Sequence, residues 1–115
     1  MKDKYEHALF MQKVKTGKMD EYKETHKNVW PELLEAIKDC GIEREIIWMH
    51  GDNIFIYMMS KNFESAMAKL GEREIFKKWL QKMEDLLDEM QDYSGEGNII
   101  TLENVFDLEK QLDEI

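Results

Sequence analysis

Two short segments, "REIIWMH" (44–50) and "IFIYMM" (54–59), restrict the fold of this chain more than any other feature. Both are rich in β-branched and aromatic residues, and they flank "GDN", so they read as the two arms of a β-hairpin. A strand in a sheet covered on one face alternates apolar with polar side chains. Neither segment does so. Both faces of the hairpin therefore need shelter, and helices cover only one of them. A partner sheet, a ligand pocket or both must serve the other, and a face-to-face homodimer meets that demand.

The rest of the chain arranges itself around this hairpin. "ALFMQKVK" (8–15) reads as a strand closed by Gly17. From Met19 to Cys40 apolar or aromatic residues stand at Tyr22, Trp30, Leu33, Leu34 and Ile37, a helical pattern interrupted by Pro31. Proline suits a first helical turn and damages an interior one. The segment therefore splits into a short helix to about His26 and a second helix from Pro31 to Gly41. Residues 60–62 form a loop, and Phe63 to Leu70 form a short helix stopped by Gly71. A longer helix runs from about Glu72 to Met90, with Ile75, Phe76, Trp79, Leu80, Met83, Leu86, Leu87 and Met90 on one stripe. "YSGEGN" (93–98) is a loop and "IITLENVF" (99–106) a last strand. The order βαββαβ predicts a ferredoxin-like α+β fold, an antiparallel sheet with its helices on one face. One domain spans residues 1–115.

Composition narrows the function. A formal charge of −9 opposes nucleic acid and anionic membrane surfaces as partners, because phosphates are repelled. No stretch has the length and apolarity to span a bilayer, and "MKDKYEHALF" lacks the apolar run of a signal peptide, so a cytoplasmic protein is expected. The single Cys40 allows no intramolecular disulfide, and His7, His26 and His50 lack metal-ligand spacing. The glycines of "YSGEGN" lack the strand-before, helix-after setting of a phosphate-binding loop. No metal, nucleotide or other cofactor is expected.

"YKETHKNVWPEL" (22–33) is the segment that bears on chemistry. Tyr22, His26 and Trp30 recur at steps of four, which places them on one helical side. From the residue pattern alone, Tyr22, Trp30 and Trp79 read as core and His26 as a structural or surface histidine. Glu45 shares a strand side with Ile47 and Met49, and it either lines a pocket or sits at a wet strand end.

The pattern Y-x-x-x-H-x-x-x-W-P-E-L, after an "FMQ" strand and before "KKWLQKM" and "LENVFDL", resembles the L-rhamnose mutarotase family. The resemblance implies a dimeric α+β barrel of ferredoxin-like subunits and an isomerase that interconverts the α and β anomers of a 6-deoxyhexose, most simply L-rhamnose. It implies that His26 is the catalytic proton donor and Tyr22 a substrate-binding residue, and that Trp79 contacts the sugar. Trp30 is a further candidate for the sugar pocket. Two positions depart from the family pattern. Leu80 stands where a second tryptophan is expected and Glu45 where a substrate-contacting tyrosine is expected, which leaves L-fucose or another sugar open. The chemistry fits an imidazole: mutarotation needs a base at the anomeric hydroxyl and an acid at the ring oxygen, and histidine reaches both forms near neutrality. The alternative is a dimeric α+β barrel that binds a small ligand without turnover, or a cofactor-independent oxygenase, since the same fold hosts several functions.

Overall fold

Residues 4–88 and 100–115 are described by a computed structural model of the chain. The elements run β1 (Glu6–Lys13), α1 (Met19–Lys27), α2 (Pro31–Cys40), β2 (Ile42–His50), β3 (Asn53–Ser60), α3 (Phe63–Gly71), α4 (Glu74–Glu84), β4 (Ile100–Thr101) and α5 (Leu108–Asp113). The strands form one antiparallel sheet in the order β2-β3-β1-β4. This is the ferredoxin-like α+β arrangement that the element order predicts.

Local chemistry explains the boundaries. Pro31 opens α2, where its missing N–H is not needed. Gly41 ends that helix in the left-handed region (φ 113), and its N–H caps the Ile37 and Lys38 carbonyls. Gly51 takes the first position of the two-residue turn between β2 and β3 with φ 61, which a type II′ hairpin turn reserves for glycine. Asn62 caps α3 by accepting from the Ser65 N–H. Gly71 does not stop α3 as expected. It is the last helical residue, outside the left-handed region, and Glu72 follows it in an ordinary right-handed conformation.

The register divides the residues of the hairpin cleanly between two faces. Ile54, Ile56 and Met58 point toward the helices and are buried, with Phe10 beside them on β1. They meet Tyr22, Leu33, Ala36, Leu70, Trp79 and Met83 to form the core. Phe55, Tyr57 and Met59 alternate with them onto the opposite face, where they are only half-buried. Across the hairpin, Ile46 and Trp48 pair with Tyr57 and Phe55, so they share that open face. Trp48 keeps 55% of its surface exposed.

Two expected elements come out differently. The helix expected from about Glu72 to Met90 is α4, Glu74–Glu84. Leu86 and Leu87 are buried by another route. After Glu84 the chain turns back to the end of β1, with Lys15 N–H donating to the Leu86 carbonyl (2.8 Å) and Asp88 N–H to Lys13 (3.0 Å). Among its described residues, the strand expected over 99–106 pairs at Ile100 and Thr101, against Met11 and Phe10, with one further bond from Leu102 N–H to the Leu9 carbonyl (2.8 Å). Val105 and Phe106 are exposed and lead into α5, an element the pattern did not suggest. Met90, Ile99 and the "YSGEGN" segment lie outside the described residues.

Candidate functional site

A cavity of about 510 Å³ opens between α1, α2 and α4 on one side and the start of β2 on the other. That is within the range of small-molecule sites, about 300–1,000 Å³. His26, Trp79 and Glu45 all line it, with aliphatic walls that include Leu33, Ile47 and Met58.

His26 comes from the last turn of α1. Its Nδ1–H donates to the Tyr22 carbonyl one turn earlier, at 2.8 Å. A carbonyl only accepts, so this bond places the proton on Nδ1 and leaves Nε2 with its lone pair. Nε2 has no hydrogen-bond partner among the described residues. Partial burial lowers the imidazole pKa below its ordinary value, against a smaller opposing effect of the Tyr22 carbonyl. The neutral ring, with one free basic nitrogen, is therefore the favoured form at neutrality.

Aromatic rings hold this imidazole in place. Tyr22 lies under it with ring centroids 4.0 Å apart, and Trp79 meets it edge-on at 5.2 Å. Trp30 in turn meets Trp79 edge-on at 5.3 Å. Trp79 is only 6% exposed, so it is a core residue whose remaining surface faces the cavity.

The Tyr22 ring is buried, and its hydroxyl has no hydrogen-bond partner among the described residues. Burial, and secondly the nearby Glu45 charge, pushes the phenol far above its ordinary pKa, so it stays protonated and available as a donor. A buried polar group without a partner is uncommon in a folded protein and needs an explanation, such as a ligand that completes it.

Glu45 reaches the cavity by ordinary strand alternation, in step with Ile47 and Met49 and paired with Met58. The β2–β3 register shifts between Ile42 and Arg44, and this brings Ile42, paired with Ser60, to the same helix-facing side. Its side chain lines the cavity and keeps an exposed surface. Desolvation by the atoms packed around the carboxyl raises its pKa to about 7.

The structure thus brings His26, Glu45 and Trp79 to one cavity, with the Tyr22 ring tilted against the histidine. Tyr22, Trp30 and Leu80 are not among its lining residues. Trp30 buttresses Trp79, and Leu80 packs half-buried against the core from the neighbouring helical position. Lys38, Glu43 and Arg44 also line the cavity and were not singled out by the sequence pattern. Lys38 is tied to Glu43 by a 2.8 Å bond to its carbonyl and a 3.8 Å ion pair. The only legible signal for them was their place beside Gly41 at the start of β2. Among the described residues, no group of three His, Cys, Asp or Glu side chains is placed to hold a metal ion.

The same geometry has relatives. The L-rhamnose mutarotase family model matches residues 7–108. The L-rhamnose mutarotase of Clostridium beijerinckii is 32% identical over 101 residues, covering 86% of this chain and 94% of that protein. The crystal structure of L-rhamnose mutarotase from Formosa agariphila superposes with a TM-score of 0.72 at 29% identity, covering 90% of this chain and 99% of that one. A dimeric ferredoxin-like protein from an uncultured marine organism shares the fold at 15% identity, with a TM-score of 0.56 over 89% of this chain and 96% of that one. No helix among the described residues is long and apolar enough to cross a membrane. With 102 of its 115 residues matched, the chain belongs to the L-rhamnose mutarotase family, a family of isomerases that act on sugar anomers.

Proposed function

We propose that this protein catalyses anomer exchange of a 6-deoxyhexose, with L-rhamnose as the first substrate, by opening and reclosing the pyranose ring in the cavity between α1 and β2. The observation that carries the reading is the bond from His26 Nδ1–H to the Tyr22 carbonyl. It presents a neutral imidazole with one free nitrogen beside a cavity of suitable size. In the opening direction Nε2 takes the proton of the anomeric hydroxyl. On closure the imidazolium returns it to the carbonyl oxygen. In this reading the histidine is a proton donor in the second half of the cycle and a base in the first, because burial favours its neutral form.

The remaining groups suit a deoxysugar. Trp79 offers an aromatic surface to the C–H face of the ring, and Met58 and Ile47 offer apolar contact to its methyl group. The Tyr22 hydroxyl, without a partner in the free protein, is supplied with one by a sugar oxygen. Trp30 supports Trp79 and does not touch the sugar.

The working unit is a cytoplasmic homodimer, each chain contributing one ferredoxin-like domain. The open face of the sheet, with Trp48, Tyr57 and Phe55, packs against the same face of a second copy, as an isologous interface requires. An exposed apolar surface of this kind on a monomer marks an interaction site.

The test is saturation-transfer NMR of the two anomers, with L-rhamnose and then L-fucose, in the presence of purified protein. Exchange faster than the buffer-catalysed rate is expected for L-rhamnose. A rate equal to that of buffer for every 6-deoxyhexose refutes the reading.

A further inference from the structure

Ring opening moves two protons at two different oxygens. One leaves the anomeric hydroxyl and one arrives at the ring oxygen. His26 has a single free nitrogen, because Nδ1 is held by the Tyr22 carbonyl. A concerted opening therefore needs a second group on the same cavity.

The cavity offers few candidates. From α1 it has His26 itself, with the Tyr22 hydroxyl behind it; from α2, Lys38; from β2, Glu43, Arg44 and Glu45. Of the other lining residues, β3 contributes Met58, α3 Met67 and Leu70, and α4 Phe76 and Trp79, none of which is charged. Lys38 and Glu43 are engaged with each other. Arg44 pairs with Met59 on the open side of the sheet, and a guanidinium does not give up its proton in a protein. The Tyr22 phenol is held far above its ordinary pKa and is a poor acid. Glu45 alone is a carboxyl with no ion pair or hydrogen bond among the described residues, and its place in β2, on the helix-facing side with Ile47, puts it on the cavity wall.

We propose that Glu45 and His26 act as a two-point proton-transfer pair, Glu45 serving the ring oxygen of the sugar and His26 its anomeric hydroxyl. The inference rests on the mutarotase reading above and gives that site its second reacting group. In opening, the bond between the anomeric carbon and the ring oxygen breaks with its electron pair going to the ring oxygen. That oxygen takes the proton of the Glu45 carboxyl. The anomeric O–H pair becomes the carbonyl π bond, and its proton passes to His26 Nε2. Closure on the opposite face runs both transfers backwards, so Glu45 ends as the acid and His26 as the base. No atom or electron is gained or lost.

Desolvation supports the assignment, because it keeps a useful fraction of Glu45 in the acid form at neutral pH, with a pKa of about 7. A carboxyl at its ordinary value would be ionised there and unable to donate. The two groups are then required in opposite states, His26 neutral and Glu45 protonated. Activity rises with pH as His26 loses its proton, below the ordinary histidine value, and falls again as Glu45 ionises near 7.

The experiment is the pH profile of L-rhamnose anomer exchange by saturation-transfer NMR, for the wild-type chain and for Glu45→Gln. Glutamine keeps the shape of the side chain and has no acidic proton. We expect a bell for the wild type, and for Glu45→Gln a rate lower by roughly 10²-fold with no descending limb near pH 7. Wild-type exchange that keeps rising through pH 8 overturns the pairing, and this arm needs no variant to fold. A folded Glu45→Gln protein with a near-normal rate and an unchanged descending limb also overturns it, and leaves the mutarotase reading standing. Absence of wild-type exchange at every pH instead removes the mutarotase reading and the pairing together.

Discussion

The two faces of the sheet are built from the same strands and have opposite fates. On one face Ile54 and Ile56 are 0% exposed beneath the helices, and the row ends at Glu45 in a cavity. On the other, Phe55 and Tyr57 are half-buried, with His7 stacked on Tyr57, and Trp48 is exposed; no helix among the described residues covers this face. A strand that only needed a core would have placed polar side chains on its second face. The unbroken apolar run therefore makes two apolar surfaces, one beneath the helices with the site and one to which we assign the partner copy. The covered face gathers an imidazole held by a carbonyl, a carboxyl raised toward neutrality and a phenol without a partner among the described residues. Such concentration is a mark of a functional site more than of a structural one.

The sharpest way to break the comparison is to remove the imidazole from the covered face. In His26→Ala, anomer exchange per folded protein is expected to fall by about 10²–10⁴-fold, the range for losing a positioned acid or base. Circular dichroism and the thermal melt should stay close to wild type, because His26 is only partly buried. A folded variant with near-normal exchange would mean that the covered face is structural like any other core.

The open face responds to a charge. Tyr57→Lys places an ammonium among Phe55, Trp48 and their counterparts in a second copy. Burying it unpaired is costly, and we expect dimer dissociation to be favoured by about 10–10²-fold in Kd, read by light scattering across a dilution series. The exchange rate per chain at saturating protein should change far less. If wild-type protein is already a monodisperse monomer at micromolar concentration, the open face has another role.

Most of this division was legible in the sequence, for physical reasons. Pro31 and Gly41 mark helix ends through a missing donor and a left-handed backbone, and both act locally. The hairpin was legible because alternation failed in it. The end of α4 was not legible, because Leu86 and Leu87 continue the helical stripe although they are buried by pairing back toward β1. Periodicity reports burial and cannot say which backbone achieves it. The last strand failed in a similar way: "IITLENVF" has strand composition, yet among its described residues the pairing with β1 ends at Thr101 and the Leu102 N–H. At the site, the helical spacing of Tyr22 and His26 was readable, while the choice between pocket and wet strand end for Glu45 was not. Alternation puts Glu45 on the side of Ile47 and Met49, but whether that side meets a cavity depends on how the helices pack over the start of β2, which leaves no mark in composition. Leu80 shows the converse. Its neighbour Trp79 reaches the cavity and it does not, since adjacent helical positions point about 100° apart.

Tyr22 gives the smallest expected effect and the most discriminating one, because it should act with opposite sign on folding and on binding. In the free protein the phenol is buried without a hydrogen-bond partner. Leaving such a group unsatisfied costs about 1–3 kcal/mol, so Tyr22→Phe, which keeps the ring against His26, should hold or raise the Tm. A purely structural tyrosine would behave the same way up to this point. The difference appears with sugar present. If the hydroxyl donates to a sugar oxygen, the variant loses one neutral hydrogen bond, worth about 0.5–1.5 kcal/mol, and L-rhamnose should bind roughly three- to tenfold more weakly. The maximal exchange rate should change less than the affinity, because His26 Nδ1 is held by the Tyr22 backbone carbonyl and not by the side chain. A Tm that falls in Tyr22→Phe would mean that the hydroxyl has a partner in the free protein. An unchanged affinity with an unchanged Tm would place the sugar elsewhere in the cavity, away from the only buried hydroxyl stacked behind the histidine among the described residues.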